Sequence, residues 1–240
     1  MTEFLLTLAA VLGGAVASVA GFGIGSILTP ALAPSVGTKL AVAAVSVPHL
    51  VGTALRLWRL RRHVDREVLK GFGLASAAGG LAGAFVFSVA GSALLAVVFG
   101  LLLLLAGVSE WSGLNRRVRL GATGAWLAGA ASGVFGGMVG NQGGIRTAAL
   151  LTFSLERHAF VATATATALL VDLGRMPVYF ATERAALLDM AGTIALLTAG
   201  VVVGTLAGER VLRRLPEPLF RRAVAGLLMV LGLVMLARGL

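Results

Sequence analysis

Long apolar runs without a charged residue dominate this chain and limit how it can fold. The runs Leu81–Val108 and Val224–Leu236 contain no Asp, Glu, Lys or Arg. About 20 consecutive apolar residues are enough to cross a bilayer as a helix. Because the runs are continuous rather than alternating, they favour helices over a closed barrel, the other structure that satisfies the backbone in lipid. The chain is therefore predicted to be an all-α polytopic membrane protein.

The composition excludes several other classes of protein. Hydrophobic residues make up 58% of the chain and charged residues 12%, whereas a soluble domain has about 25% charged residues. The net charge of +10 does not indicate nucleic-acid binding, because the positive residues cluster between the apolar runs, as in the cytoplasmic loops of membrane proteins. The predicted partners are the lipid bilayer and a small anion, and a homodimer is a further expectation.

The sequence offers no recognisable catalytic centre. There is no Cys, and the three His residues are scattered without the spacing of metal ligands. We find no paired carboxylates and no arrangement of a nucleophile with a His. The chain is therefore predicted not to be an enzyme and to need no cofactor or metal.

Eight apolar stretches are long enough to be membrane helices. The first has no basic residues before it, which favours a retained helix over a cleaved signal peptide. Two further apolar segments, Gly21–Pro34 and Gly140–Leu155, begin with glycine clusters and resemble half-helices that either re-enter the membrane or complete a crossing. The eight stretches are about 3–20, 39–58, 67–89, 92–110, 120–139, 159–181, 187–208 and 219–237.

The two halves of the chain align with each other without a gap around these segments. When Gly21 is placed on Gly140, an offset of 119 residues, Arg56 falls on Arg175. The offset is close to half the chain length. This match predicts two repeats, residues 1–118 and residues 119–240, within one membrane domain.

Lys and Arg predict the orientation of the helices, since cytoplasmic loops are enriched in both. The segments Arg59–Arg66, Arg116–Arg119 and Arg210–Arg222 are predicted to be cytoplasmic, and the turns Gly91–Ser92 and Thr182–Arg184 to be outside. Arg59–Arg66 and the equivalent turn in the second repeat thus lie on opposite sides. The prediction is an inverted-topology repeat, a plan shared by many secondary transporters.

The first glycine-rich break is a candidate anion site. Alternating glycines disfavour a helix, and unwound backbone at membrane depth is tolerated only against protein or a water-filled cavity. A half-helix that starts there directs free N–H groups and a positive dipole end at that cavity. The alternative is close helix packing through small residues. The candidate substrate-binding residues are Gly21, Phe22, Gly23 and Gly25.

The second break adds side-chain donors. Arg146 lies in an otherwise uncharged stretch, and a charge at that depth marks a functional site by default. Its guanidinium suits a pyramidal or tetrahedral oxyanion through forked hydrogen bonds. The alternatives are snorkelling to the interface or pairing with Asp172. The candidates here are Gly140, Asn141, Gln142, Gly143, Gly144 and Arg146.

The helices after the two breaks carry further candidates for coupling or for the pathway: His49 in the first repeat, and Asp172 and Arg175 in the second. Asp172 and Arg175 are three residues apart and share a helix face, so they could simply neutralise each other. Alternatively, Asp172 or His49 takes up a proton that is coupled to transport. A lone His in an apolar helix is more often structural than functional.

Taken together, these residues resemble the TauE/SafE family, which is grouped around the export of sulfite and organosulfonates. The resemblance covers nearly the whole chain. Its strongest part is the sequence Gly-Phe-Gly-Ile-Gly-Ser-Ile-Leu-Thr-Pro from Gly21 to Pro30, followed by the small-residue helix around Ala41–Ala44. The second half departs from the usual pattern, since Arg146 enters and Ala149 stands where Pro30 aligns.

The resemblance implies a multi-pass protein of the plasma (inner) membrane. We expect a secondary transporter that exports a small sulfur-containing oxyanion, sulfite or an organosulfonate. The alternative is an anion channel or a permease for another small oxyanion or a carboxylate on the same fold. A non-transporting receptor or assembly factor is a further alternative.

Overall fold

The computed structural model describes residues 2–113, 120–141, 143–212 and 216–240, and these residues form helices without any strand. Short 3₁₀ turns follow two of the helices, at Arg61–His63 and Leu151–Phe153, and a π-helical turn at Leu69–Gly73 joins α4 to α5. The α-helices of the described residues are α1 (Thr2–Ala20), α2 (Ile24–Val36), α3 (Thr38–Leu60), α4 (Arg66–Val68), α5 (Leu74–Val89), α6 (Ser92–Ser112), α7 (Ala122–Val139), α8 (Gly143–Leu150), α9 (Arg157–Asp189), α10 (Ala191–Leu212) and α11 (Glu217–Gly239).

Seven helical segments of the described chain are long and apolar enough to cross a membrane: Glu3–Ala20, Thr38–His63, Arg66–Val89, Ser92–Ser112, His158–Asp189, Ala191–Gly208 and Pro218–Gly239. They coincide with seven of the eight predicted stretches. The remaining stretch, 120–139, is α7, a helix of 18 residues. α2 is a shorter apolar helix, and α8 has eight residues. The predicted all-α polytopic class, with two short segments after the breaks, is confirmed.

The turn predicted at Thr182–Arg184 coincides with a kink inside α9. The backbone leaves helical geometry at Glu183 (φ −118°, ψ 20°), where two helices meet, and the second of them continues to Asp189. The residues after Glu183 are rich in Ala and Leu, which are strong helix formers, so the second helix begins directly after the kink without a longer loop.

Helix starts repeat at the predicted offset of 119 residues. α2 begins at Ile24 and α8 at Gly143, and α3 and α9 begin the same distance apart. The preceding breaks also match, because Gly21 and Gly140 both have positive φ angles, of 81° and 73°. The boundary at residue 118 and the inverted orientation of the repeats stay predictions, and Arg116–Arg119 lies outside the described residues.

The predicted repeats exchange packing partners. α1 packs against α10, α7 packs against α5, and α6 packs against α11, while α3 and α9 lie together between them. Glycines permit the closest approaches. A Cβ at Gly14 would lie 2.4 Å from the Val201 carbonyl oxygen, and one at Gly133 would lie 2.0 Å from that of Ser76. Contact between helix backbones through small residues is typical of membrane proteins.

The three tryptophans are exposed and lie near ends of helices. Trp58 is in the last turn of α3, Trp111 is near the end of α6, and Trp126 is in the second turn of α7. Each of these ends adjoins a basic segment that the sequence predicts to be cytoplasmic. Trp is enriched at the interface between membrane and water, so this distribution fits one membrane face.

Candidate functional site

The two glycine-rich breaks meet inside the protein. A Cβ at Gly25, in the first turn of α2, would lie 2.8 Å from the Gly140 carbonyl oxygen, and a Cβ at Gly143 would lie 2.6 Å from Cβ of Phe22. Only glycine leaves room for these approaches. Gly23 precedes α2 with φ 138°, a conformation that L-residues avoid. Six predicted site residues, Gly21 included, therefore belong to or adjoin one meeting point.

Asn141 links the second break to the first. Its side-chain oxygen Oδ1 accepts a hydrogen bond of 3.4 Å from the Ser26 hydroxyl on α2. Its amide nitrogen Nδ2 is buried and has no hydrogen-bond partner. Gly144 lies in the first turn of α8, whereas Gln142 lies outside the described residues. Asn141 thus presents a free donor at the junction of the breaks.

Arg146 lies in the middle of α8 and is only 4% exposed. Two of its guanidinium nitrogens, Nε and Nη1, are buried without a hydrogen-bond partner. Burial is inconsistent with snorkelling to the interface. Pairing with Asp172 is not what the structure shows, because the two Asp172 oxygens bond to His49 and Arg175. An unsatisfied buried guanidinium is costly, so this cation indicates a place for an acceptor.

Two further arginines hold the ends of the helices that precede the breaks. Arg56 donates from Nη1 to the Ala17 carbonyl (2.6 Å) and from Nε to the Thr165 hydroxyl (3.0 Å). Arg175 donates from Nη1 to the Gly136 carbonyl (3.0 Å). Ala17 and Gly136 each lie four residues before the glycine that breaks its helix. Each of these carbonyls also accepts the N–H of that glycine at 3.0 Å, so each arginine adds a second hydrogen bond to a carbonyl in the last turn of a helix.

Asp172 joins the first repeat to the second. Its Oδ2 is 2.7 Å from Nδ1 of His49, and its Oδ1 accepts bonds from Nη2 (2.7 Å) and Nε (3.0 Å) of Arg175. The ion pair of Asp172 with Arg175 was one of the two alternatives predicted, and the structure contains it. Tyr179, one turn beyond Arg175, donates to the Gly137 carbonyl (2.6 Å), so α9 is held firmly against the end of α7.

The buried centre carries an excess of positive charge. Within the described ranges the buried charged side chains are Arg56, Arg146, Arg175 and Asp172. Asp172 attracts all three guanidinium groups but forms an ion pair only with Arg175, and Arg56 and Arg146 repel each other. These three cations face one carboxylate, which leaves two positive charges to be compensated.

Sequence reasoning missed part of this centre. In the sequence, Arg56 served only to support the alignment of the repeats. An arginine inside an apolar helix, at the position equivalent to Arg175, is itself a signal of a functional site. The contact of Ser26 with Asn141 had no signal in the sequence, because a single hydroxyl in a membrane helix is common. Thr167, one of three threonines at alternate positions of α9, is buried with an unpaired Oγ1.

Comparison with known proteins agrees with this architecture. The family model "Sulfite exporter TauE/SafE" matches residues 6–235, which is nearly all of the 240-residue chain. No curated protein and no solved structure matches the chain. The match includes both breaks, the three buried arginines and every described helix at least in part, and so the chain belongs to the TauE/SafE family of sulfite-exporter-type membrane transporters.

Proposed function

We propose that this protein is a secondary transporter that exports a small sulfur-containing oxyanion, sulfite or an organosulfonate, across the plasma membrane. The observation that carries the proposal is the pair of unpartnered nitrogens, Nε and Nη1, on the buried side chain of Arg146. The anion is proposed to bind there, where the two glycine breaks meet. Membership of a transporter family supports transport rather than catalysis.

The chemistry of the free donors favours an oxyanion. Nε and Nη1 of Arg146 are unpaired, positively charged donors on different edges of one planar group, and charge-assisted hydrogen bonds from a guanidinium suit the oxygens of an oxyanion. Asn141 contributes the further unpaired donor Nδ2. Charge-assisted bonds to an oxyanion would satisfy these donors, and the anion would offset the positive charge of Arg56 and Arg146.

The position of the site fits transport by alternating access. Breaks from the two halves meet in one place, and many secondary transporters bind substrate where broken helices of two repeats meet near mid-membrane. Both faces of the membrane could then reach the same donors in turn. An anion channel on the same fold would instead keep a continuous conducting path.

The test is anion flux from proteoliposomes loaded with sulfite. We expect saturable flux in the wild type, loss of at least tenfold in Arg146→Gln, and partial retention in Arg146→Lys, which keeps the charge but loses the fork. Arg238→Gln is the matched control, since Arg238 is exposed near the end of α11. Undiminished flux in Arg146→Gln would remove Arg146 from the site, and flux that stays proportional to concentration would favour a channel.

A further inference from the structure

His49 is the part of the buried polar cluster that is nearest to the surroundings. Its side chain is 14% exposed, whereas Asp172 is fully buried and Arg175 is 2% exposed. It lies in the middle of α3, away from both ends of the helix. The imidazole is therefore the most accessible group of the three, and histidine ordinarily exchanges protons between about pH 5 and 8.

The contact with Asp172 determines which imidazole nitrogen can take up the proton. A carboxylate only accepts hydrogen bonds, so Nδ1, 2.7 Å from Oδ2 of Asp172, carries hydrogen in both the neutral and the protonated ring. Asp172 itself is held by Arg175, which keeps the acceptor in place. Nε2 is then the nitrogen that gains or loses the proton, and the Asp172 contact survives either way.

The imidazole carbon next to Nε2 lies close to the first break. Cδ2, the carbon bonded to Nε2, is 3.8 Å from the position that a Cβ on Gly25 would occupy, and the Gly140 carbonyl lies beside the same position. Protonation of His49 would thus add positive charge where α2 begins and the two breaks meet. That charge would strengthen the binding of an anion at this junction.

The other charged groups around His49 do not replace it in this role. α9 contributes Asp172 and Arg175, which are already paired, and α3 contributes Arg56, which repels a second cation. Arg146 of α8, at the proposed anion site, attracts Asp172 electrostatically. α2, which packs on α3, has no titratable residue. The titratable residues of α6 and α10 lie in the last turns of these helices, whereas His49 lies in the middle of α3.

We propose that His49 takes up a proton at Nε2 when the anion binds, so that the protein carries the anion and a proton together. This inference rests on the proposed function, because it requires an anion at the junction of the breaks. By linkage, protonation and anion binding favour each other by the same factor. Anion affinity then falls as pH rises, by up to about tenfold per pH unit.

The experiment counts protons during binding of methanesulfonate to the detergent-solubilised wild type, by calorimetry in buffers of different ionisation enthalpy. Methanesulfonate stays ionised, so any proton taken up during binding is bound by the protein and not by the ligand. We expect uptake approaching one proton per anion at a pH where His49 is neutral in the free protein. His49→Gln should bind with the weaker, high-pH affinity, without proton uptake. His158→Gln, at an exposed position, should match the wild type.

The outcomes separate the two proposals. Binding by the wild type without proton uptake overturns the role of His49 and leaves the proposed function intact, and so does unchanged uptake in His49→Gln. Absence of binding of both methanesulfonate and sulfite by the wild type overturns the proposed function, and the inference with it. The wild-type count needs no variant, so the test does not depend on whether His49→Gln folds.

Discussion

Arg56 and Arg175 make equivalent hydrogen bonds in the two halves of the protein: each donates from Nη1 to a backbone carbonyl 39 residues before it in the chain. The acceptors, Ala17 and Gly136, also receive the N–H of the glycine that ends each helix, at 3.0 Å in both cases. Their remaining partners differ. Arg175 binds the carboxylate of Asp172, whereas Arg56 binds the hydroxyl of Thr165.

This difference predicts unequal effects on stability. Arg56→Met removes donors from two neutral oxygens, a loss of about 1–3 kcal/mol, and also relieves repulsion with Arg146. Arg175→Met leaves Asp172 buried without its cation, which costs about 3–5 kcal/mol. Thermal unfolding in detergent should therefore show the larger decrease for Arg175→Met. Adding Asp172→Leu to that variant should recover part of the loss, and equal decreases for the two single variants would contradict this account.

The two glycines with positive φ predict a second inequality. A Cβ at Gly21 meets no atom within 4 Å, whereas one at Gly140 would lie 2.7 Å from Nη1 of Arg175. Gly21→Ala should cost only the strain of a left-handed residue, about 1–2 kcal/mol. Gly140→Ala should cost more and should weaken anion binding, because it displaces the helix-capping guanidinium. Similar unfolding temperatures for both variants would show that the Arg175 side chain can move away from the added Cβ at little energetic cost.

Glycines inside helices predict opposite effects according to what they face. Gly133 faces the backbone of α5 at Ser76, but a Cβ at Gly226 of α11 meets nothing within 4 Å. Gly133→Ala should separate α5 from α7 and lower the unfolding temperature. Gly226→Ala should raise it, since Ala is favoured over Gly in a helix by about 1 kcal/mol. Equal changes in both variants would show that helix propensity, rather than packing, dominates.

The amide of Asn141 predicts a charge effect on binding. Asn141→Asp keeps the shape of the side chain but replaces the unpaired Nδ2 donor with a carboxylate oxygen. We expect sulfite affinity to fall at least tenfold, through loss of one bond and repulsion of the anion. Ser26→Ala removes only the contact that orients the amide and should cost less. Calorimetry would measure the dissociation constants. If Asn141→Asp bound sulfite as tightly as the wild type, this role of Asn141 would be refuted.

Much of the fold could be predicted because hydrophobicity acts locally. Uncharged runs place the membrane helices, and the alignment of Gly21 with Gly140 correctly anticipated matching breaks with positive φ. The break at Glu183 agrees with the turn predicted at Thr182–Arg184. The sequence did not indicate that a helix begins directly after the break, since polar residues there are also typical of a longer loop. Helix formers on both sides decided the outcome.

The candidate site was harder to predict because its contacts join distant parts of the chain. Arg146 stood out as a charge in an apolar stretch, but only the packing of α3 against α9 brings His49 to Asp172, 123 residues away. Packing of distant segments likewise brings Ser26 to Asn141. No local sequence pattern predicts such pairs, because each depends on how two helices are rotated about their axes.

The exchange of partners between the halves has a consequence for how the protein moves. α1 and α10 approach so closely, through Gly14 and Val201, that they cannot slide or separate without large rearrangement, and α5 and α7 are joined in the same way. Each tight pair takes one helix from each repeat. We therefore expect the rigid bodies of a transport cycle to be mixed pairs of helices rather than the two predicted repeats. The region expected to change shape is α3, α9 and the breaks between these pairs.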